Sequence, residues 1–226
     1  MKIIAISDLH GNLPEITEKA NLLIVAGDIS PSKIQFKTRE MKAWLINQFL
    51  NWVEKAPVEK VILVAGNHDS WFERAYEDLI VDLQRRSNYK LIYLENDIVF
   101  YNDENGKEYS IYGTPYCHMY GNWPFMREDE YMEEAFRDIP NDVDILITHD
   151  APYGCSDICY QGQDYTHKGN VPLRDAILER SPKLVLHGHL HSSNHNEEIL
   201  GKSKVYNVSI LDENYVEMYE PLILEI

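Results

Sequence analysis

Cysteine is scarce in this chain, with three in 226 residues. An odd number of thiols excludes a complete disulfide framework. The one close pair, Cys155 and Cys159, lacks the second pair that a structural zinc site needs, so free thiols are expected. Positive charge is also short: 21 Lys and Arg stand against 37 Asp and Glu, a net charge of −16 with no basic cluster. Such a balance repels phosphate backbones and excludes extensive nucleic-acid binding. A small phosphate ester stays open, because a bound cation would dominate the local field. No apolar run is long enough to span a bilayer, and Met1-Lys2-Ile3-Ile4 opens a strand rather than a signal peptide. No membrane association and a cytoplasmic location are the expectation. With no internal repeat, low-complexity tract or linker, residues 1–226 read as one domain.

What is present is a repeated pattern: a short apolar run that ends in polar metal-ligand types. Val61–Val64 has the β-branched texture of a strand buried on both faces, and Ala65-Gly66-Asn67-His68-Asp69 follows at once. Ile3–Ile6 runs into Ser7-Asp8-Leu9-His10, where persisting strand geometry would put Asp8 and His10 on one side. Leu22–Ala26 ends in Gly27-Asp28, Asp144–Ile147 in Thr148-His149-Asp150, and Leu184–Leu186 in His187-Gly188-His189-Leu190-His191. The carboxyl edges of such strands are where ligand sites of α/β sheets form.

Between the strands, Lys37–Lys55 has helical apolar spacing, Glu73–Arg86 reads as a second helix, and Glu128–Arg137 as an acidic third. Pro14 marks the start of a segment, Glu15–Ala20, too short for a long crossover helix. Asn102–Gly106 joins two strand-like runs as a hairpin turn. Asn170 is placed to cap a helix over Val171–Arg180. Ala151–Gly169 reads as a long loop, and Lys204–Val208 with Tyr215–Glu225 as antiparallel strands.

Taken together, the strand ends supply Asp8, His10, Asp28, Asn67, His149, His189 and His191. These oxygen and nitrogen donors suit Mn, Fe, Zn, Ni or Co, and they exceed what a single ion takes up. Two divalent or trivalent ions sharing a carboxylate would use all of them, a usual device for in-line displacement at phosphorus. Taken singly, each residue has a plainer use: Asp8 and Asp28 as turn acceptors, Asn67 as a left-handed turn residue, the histidines as surface or core groups.

The ordered set Asp8-x-His10, Gly27-Asp28, Gly66-Asn67-His68-Asp69, His149 and Gly188-His189-x-His191 resembles the calcineurin-like metallophosphoesterases. That resemblance implies an α/β, four-layer αββα sandwich of two mixed β-sheets flanked by helices. It implies that Asp8, His10, Asp28 and His191 hold one ion and Asp28, Asn67, His149 and His189 the other. It further implies a metal-bridging hydroxide as nucleophile and His68 as the non-ligand catalytic histidine, assisting the leaving group, with Asp69 expected to orient it. The segment Thr148-His149-Asp150-Ala-Pro152-x-Gly154-x-x-Asp157 with His167-x-Gly169 is similar to a small phosphodiesterase-type branch, although Ala151 stands where a proline is common. On that basis a phosphodiesterase is favoured over a phosphomonoesterase, and His167 is a candidate substrate contact. The aromatic run Tyr116–Phe125 has two readings, stacking on a substrate or packing over the sheet. Two other functions remain: a binding or scaffold protein that kept the fold without turnover, and a nuclease. Substrate and oligomeric state are open.

Overall fold

The computed structural model describes residues 1–74, 77–161, 164–193 and 195–226. Five strands form the first sheet in the order β15-β1-β2-β3-β4: β1 (Lys2–Ile6), β2 (Ala20–Ala26), β3 (Val58–Val64), β4 (Leu91–Tyr93) and β15 (Leu222–Glu225). The second sheet has six in the order β13-β14-β12-β9-β6-β5: β5 (Asp97–Asn102), β6 (Glu108–Thr114), β9 (Ile145–Thr148), β12 (Leu184–His187), β13 (Glu198–Leu200) and β14 (Ser203–Asn207). Two small ladders lie between them in sequence, β7 (Cys117–His118) with β8 (Met126–Arg127), and β10 (Ile158–Gln161) with β11 (Asp164–His167). Both large sheets are mixed: their interiors are parallel, while β15, β5 and β13 join antiparallel.

Strand alternation builds the layers. Ile3, Ala5, Leu22, Ile24, Ile62 and Val64 face the other sheet and meet Ile145, Ile147, Leu184 and Leu186 there. Their neighbours Ile4, Leu23, Val25, Val61 and Leu63 belong to the core shared with the helices. This is why the sequence shows continuous apolar runs: every position on these strands faces a covered layer.

The first sheet is flanked by α1 (Thr38–Trp44) and α2 (Leu50–Lys55), joined by a π turn at Leu45–Phe49, and by α3 (Ser70–Arg74) and α4 (Glu77–Arg86). The second is flanked by α5 (Asp129–Ala135) and α6 (Val171–Arg180). The result is the expected four-layer αββα sandwich. Asn170 caps α6, its side chain accepting the Leu173 amide.

Residues 13–19 contain no helix, in keeping with a segment too short for a long crossover helix, and β1 reaches its parallel neighbour β2 through an extended loop. Two local expectations need correction. Ala151–Gly169 is not a plain loop, because β10 and β11 pair antiparallel within it; alternation too short to read hid them. The strand at Ser203–Asn207 is antiparallel to β13 but parallel to β12, and only β15 in the tail is wholly antiparallel. The expected helix over Glu73–Arg86 falls partly outside the described residues, at 75–76.

Candidate metal centre

The parallel strands of both sheets point their carboxyl ends to one edge, and the two sheets are stitched there. Ser7 and Ser209 form a parallel bridge, and the Ile210 amide donates to the Ser7 carbonyl at 3.1 Å. The loops after β1 and β2 pair with each other: the Asp8 amide donates to Gly27 O (3.0 Å) and the His10 amide to Asp28 O (2.8 Å). These bonds hold Asp8 (φ 57°), His10 (44°) and Asp28 (55°) in the left-handed region, and His189 (69°) sits there too. Strand geometry therefore does not persist through Asp8 and His10. Non-glycine residues in that region are strained and persist only where the surroundings over-determine them, as they do at functional sites.

Close packing of the loops needs glycine. A Cβ on Gly66 would meet an Asp28 carboxylate oxygen and, at 2.7 Å, Cε1 of His149, and one on Gly188 would meet Ser7 and Asp8. The backbone can crowd the acids only because these positions carry no side chain.

All seven expected ligands gather in this crevice. His149 Nδ1 donates to Ala26 O at 2.8 Å, which leaves its Nε2 facing Asn67 Oδ1 at 3.1 Å and Asp28 Oδ2 at 3.4 Å. His191 Nδ1 donates to Asp212 O at 2.9 Å, which turns its Nε2 to Asp8 Oδ1 at 3.2 Å. His10 Nε2 lies 3.6 Å from Asp28 Oδ2, is buried and has no hydrogen-bond partner. Asp8 accepts the His189 amide at 3.0 Å. Asp8, His10 and His191 form one group of mutually close ligand atoms, Asp8, Asp28 and His149 a second, and Cys117, His149 and His189 a third. Cys117 is a donor that the sequence reading passed over. It is a free, fully buried thiol, with burial first and then the acids around it pushing its pKa up.

The electrostatics call for positive charge. Burial alone would disfavour the His149 cation, but the Asp28 carboxylate outweighs it and lifts the ring to about 10. At His191, burial is outweighed by Asp8, giving about 9. The partners respond in kind: burial would raise Asp8 and Asp28, and the imidazoles hold both well below the usual carboxylate range. Burial instead lowers His10 and His189 to about 4, so both rings keep free lone pairs at neutral pH. Carboxylates, an amide oxygen and imidazole lone pairs directed at one another are all acceptors. Protons or cations must lie between them, and the residues fit a metal centre.

His68 faces the same cavity, of about 220 Å³, together with His10, Asp28, Asn67, His189 and His191. Its amide donates to Asp28 Oδ1 at 2.7 Å, and its Nδ1 donates to Gln35 Oε1 at 2.9 Å, leaving Nε2 free. The expectation that Asp69 orients His68 is corrected here. The buried Asp69 carboxylate accepts the amides of Gly66 (2.9 Å), Ser30 (2.9 Å) and Ile29 (3.3 Å), so it fixes the loop, while Gln35 orients the ring. Burial first, then Asp28, raise Asp69 to about 6. No sequence pattern pointed to Gln35, which lies in a loop far from any strand end.

His167 is not among the residues lining this cavity. Its Nδ1 donates to Asp157 Oδ1 at 2.7 Å, and it lines a neighbouring cavity of about 650 Å³ with Gly154, Ser192 and His195. His118 donates through its Nδ1 to buried Asp150 at 2.9 Å, its ring 6.5 Å from that of His189. No described helix is long and apolar enough to cross a membrane.

The family model for calcineurin-like phosphoesterases matches residues 1–193, and the chain belongs to that family. Metallophosphoesterase domain-containing protein 1 of Homo sapiens is 26% identical over 241 residues, covering 100% of this chain and 71% of that protein. A protein of Emericella nidulans named probable rhamnogalacturonate lyase C is 29% identical over 196 residues, 84% of this chain, and the match spans only 17% of it. Among solved structures, the phosphopantetheinyl hydrolase of Mycobacterium tuberculosis superposes with a TM-score of 0.58 at 16% identity, over 95% of this chain and 90% of that one. That likeness concerns the fold.

Proposed function

We propose that the chain is a dinuclear metal-dependent phosphoesterase acting on a small phosphodiester in preference to a monoester. The observation that supports it most is the run of acceptors across the crevice: His191 Nε2 against Asp8, and His149 Nε2 and His10 Nε2 against Asp28. Asp8, His10, Asp28 and His191 would hold one ion and Asp28, Asn67, His149 and His189 the other. When bound, such ions activate water near neutral pH and draw charge from the phosphoryl oxygens.

The chain's own residues do the rest. His149 and His191 are locked in one tautomer by the Ala26 and Asp212 carbonyls, so their Nε2 atoms are always presented. His68, held through Nδ1–H by Gln35, keeps Nε2 at the cavity, where the doubly protonated ring can pass its Nε2 proton to a departing ester oxygen or bond a phosphoryl oxygen. The low count of cations across the chain disfavours a nuclease, which would track a long phosphate backbone.

The test is hydrolysis of bis(para-nitrophenyl) phosphate by metal-free protein reloaded with Mn, Fe, Zn, Ni or Co, with bound metal measured per chain. Turnover with two ions per chain is expected, and both should fall in Asp28→Asn. Activity untouched by that change defeats the mechanism. A chain that binds no metal and turns nothing over would instead be a scaffold.

A further inference from the structure

Three aromatic side chains from two segments stand around the donor cavity, Tyr120 and Tyr215 in its lining and Trp123 against His68. Tyr120 stacks on His189, ring centroids 5.8 Å apart, and its hydroxyl accepts from Asn67 Nδ2 at 3.4 Å. Trp123 lies 4.7 Å from the ring of His68. Tyr215 meets His10 edge-on at 4.7 Å and His191 at 5.6 Å. Packing over the sheet does not explain the two tyrosines, because Tyr120 is 57% exposed and Tyr215 48%.

Tyr215 is held in place. It sits at φ 60° in a turn whose Asp212 carboxylate accepts the Asn214 and Val216 amides, at 2.8 and 2.9 Å. The Asp212 carbonyl accepts both the Tyr215 amide and His191 Nδ1, each at 2.9 Å. One turn thus orients a metal ligand and hangs an aromatic ring over it. This turn lies beyond the residues that match the family.

Charge narrows the choice further. None of the described residues lining the cavity is Lys or Arg, and Glu213 stands beside Tyr215 at the rim. A second anionic group on a substrate would find no Lys or Arg there and the Glu213 carboxylate against it.

We infer that this site takes phosphoesters whose ester group carries a planar aromatic ring and no further negative charge, the ring held by Tyr215, Trp123 and Tyr120. The choice of phosphoesters rests on the reading given under Proposed function; the aromatic rim does not. Aromatic faces hold planar groups with little selectivity for ring type, so an aryl ester and a nucleobase-bearing ester share this chemistry.

Calorimetric titration of the manganese-loaded protein with phenylphosphonate and methylphosphonate reads the rim without turnover. Phenylphosphonate should bind about tenfold tighter, the upper range for one aromatic contact. Tyr215→Ala and Trp123→Ala should each bring that ratio down to about threefold or less, while Tyr215→Phe should keep it. A phenylphosphonate bearing a para-carboxylate should bind more weakly than the parent. In turnover, para-nitrophenyl phenyl phosphate should exceed methyl para-nitrophenyl phosphate in kcat/KM, the leaving group being the same. Uridine-bearing and phenyl-bearing diesters of one leaving group distinguish nucleobase from simple aryl.

A wild-type ratio near one, a ratio unchanged in Tyr215→Ala, or no binding of either phosphonate overturns the inference. If no ester is hydrolysed but the ratio holds, the rim stands and the catalytic reading fails. If hydrolysis proceeds with no preference for the ring, the rim fails and the catalytic reading stands.

Discussion

Replacing Gln35 with Leu isolates what a single hydrogen bond does for His68. Gln35 is 6% exposed, and its Oε1 accepts the imidazole Nδ1–H at 2.9 Å. Leucine fills a similar volume, and Ser70 still bonds the Gln35 backbone carbonyl at 2.6 Å, so the loop should stay in place. What is lost is the acceptor that fixes the ring and supports the doubly protonated form able to donate from Nε2. A neutral hydrogen bond of this kind is worth about 1 kcal/mol, and an unpaired N–H left behind costs about 1–3 kcal/mol. The bond is part-buried, so the lower end applies and kcat should fall about fivefold. Removing the group outright with His68→Ala should cost about 10²–10⁴.

The informative assay is a double-mutant cycle on a diester with a poor, alkyl leaving group, where proton delivery matters most. In the His68→Ala background, Gln35→Leu should have almost no further effect. An equal loss in both backgrounds would show that Gln35 acts on folding or on the metal ligands, and the orienting role would be wrong. Metal content should be unchanged in Gln35→Leu, because Gln35 reaches no ligand atom of the crevice.

Other outcomes follow from the same geometry. His149 and His191 have folded pKa values of about 10 and 9, above the ordinary 6.5, so their contribution to stability is complete below about pH 6.5 and is lost as pH rises through those values. Thermal unfolding of metal-free protein should therefore move to lower temperature from pH 7 to 9, less steeply in Asp28→Asn; a rising Tm in the wild type would contradict the charge pairing. Because ions must displace those protons, metal uptake near neutral pH should release protons and tighten with pH, measurable by calorimetry in buffers of different ionisation enthalpy. Gly188→Ala should lose metal as well as stability, since its Cβ would meet Ser7 and Asp8; retained metal content would show that the loop can shift at little cost. Asn170→Ala removes the α6 cap and a 3.1 Å bond to Asp150, and should cost about 1–2 kcal/mol, or a Tm drop of about 2–8 °C.

Much of the fold was legible because the chain repeats one local device. Strands covered on both sides must be apolar at every position, and the polar residues that follow them stand out by contrast, as at Ala26-Gly27-Asp28 and Val64-Ala65-Gly66-Asn67. The Asn102–Gly106 turn and the Asn170 cap were equally readable, since each depends on neighbours a few residues away.

What the sequence by itself determined was the inventory of donors and their order along the chain, because strand ends and turns are written locally. Only the tertiary structure decided how they are aimed. The left-handed backbone at Asp8, His10, Asp28 and His189 comes from bonds between loops and the packing of two sheets, not from the residues' own preferences. The bond from His68 to Gln35, and Tyr215 standing over His10 and His191, join segments dozens to hundreds of residues apart. Contacts of that span leave no periodicity in the chain, since nothing near either partner in sequence has to change to make them.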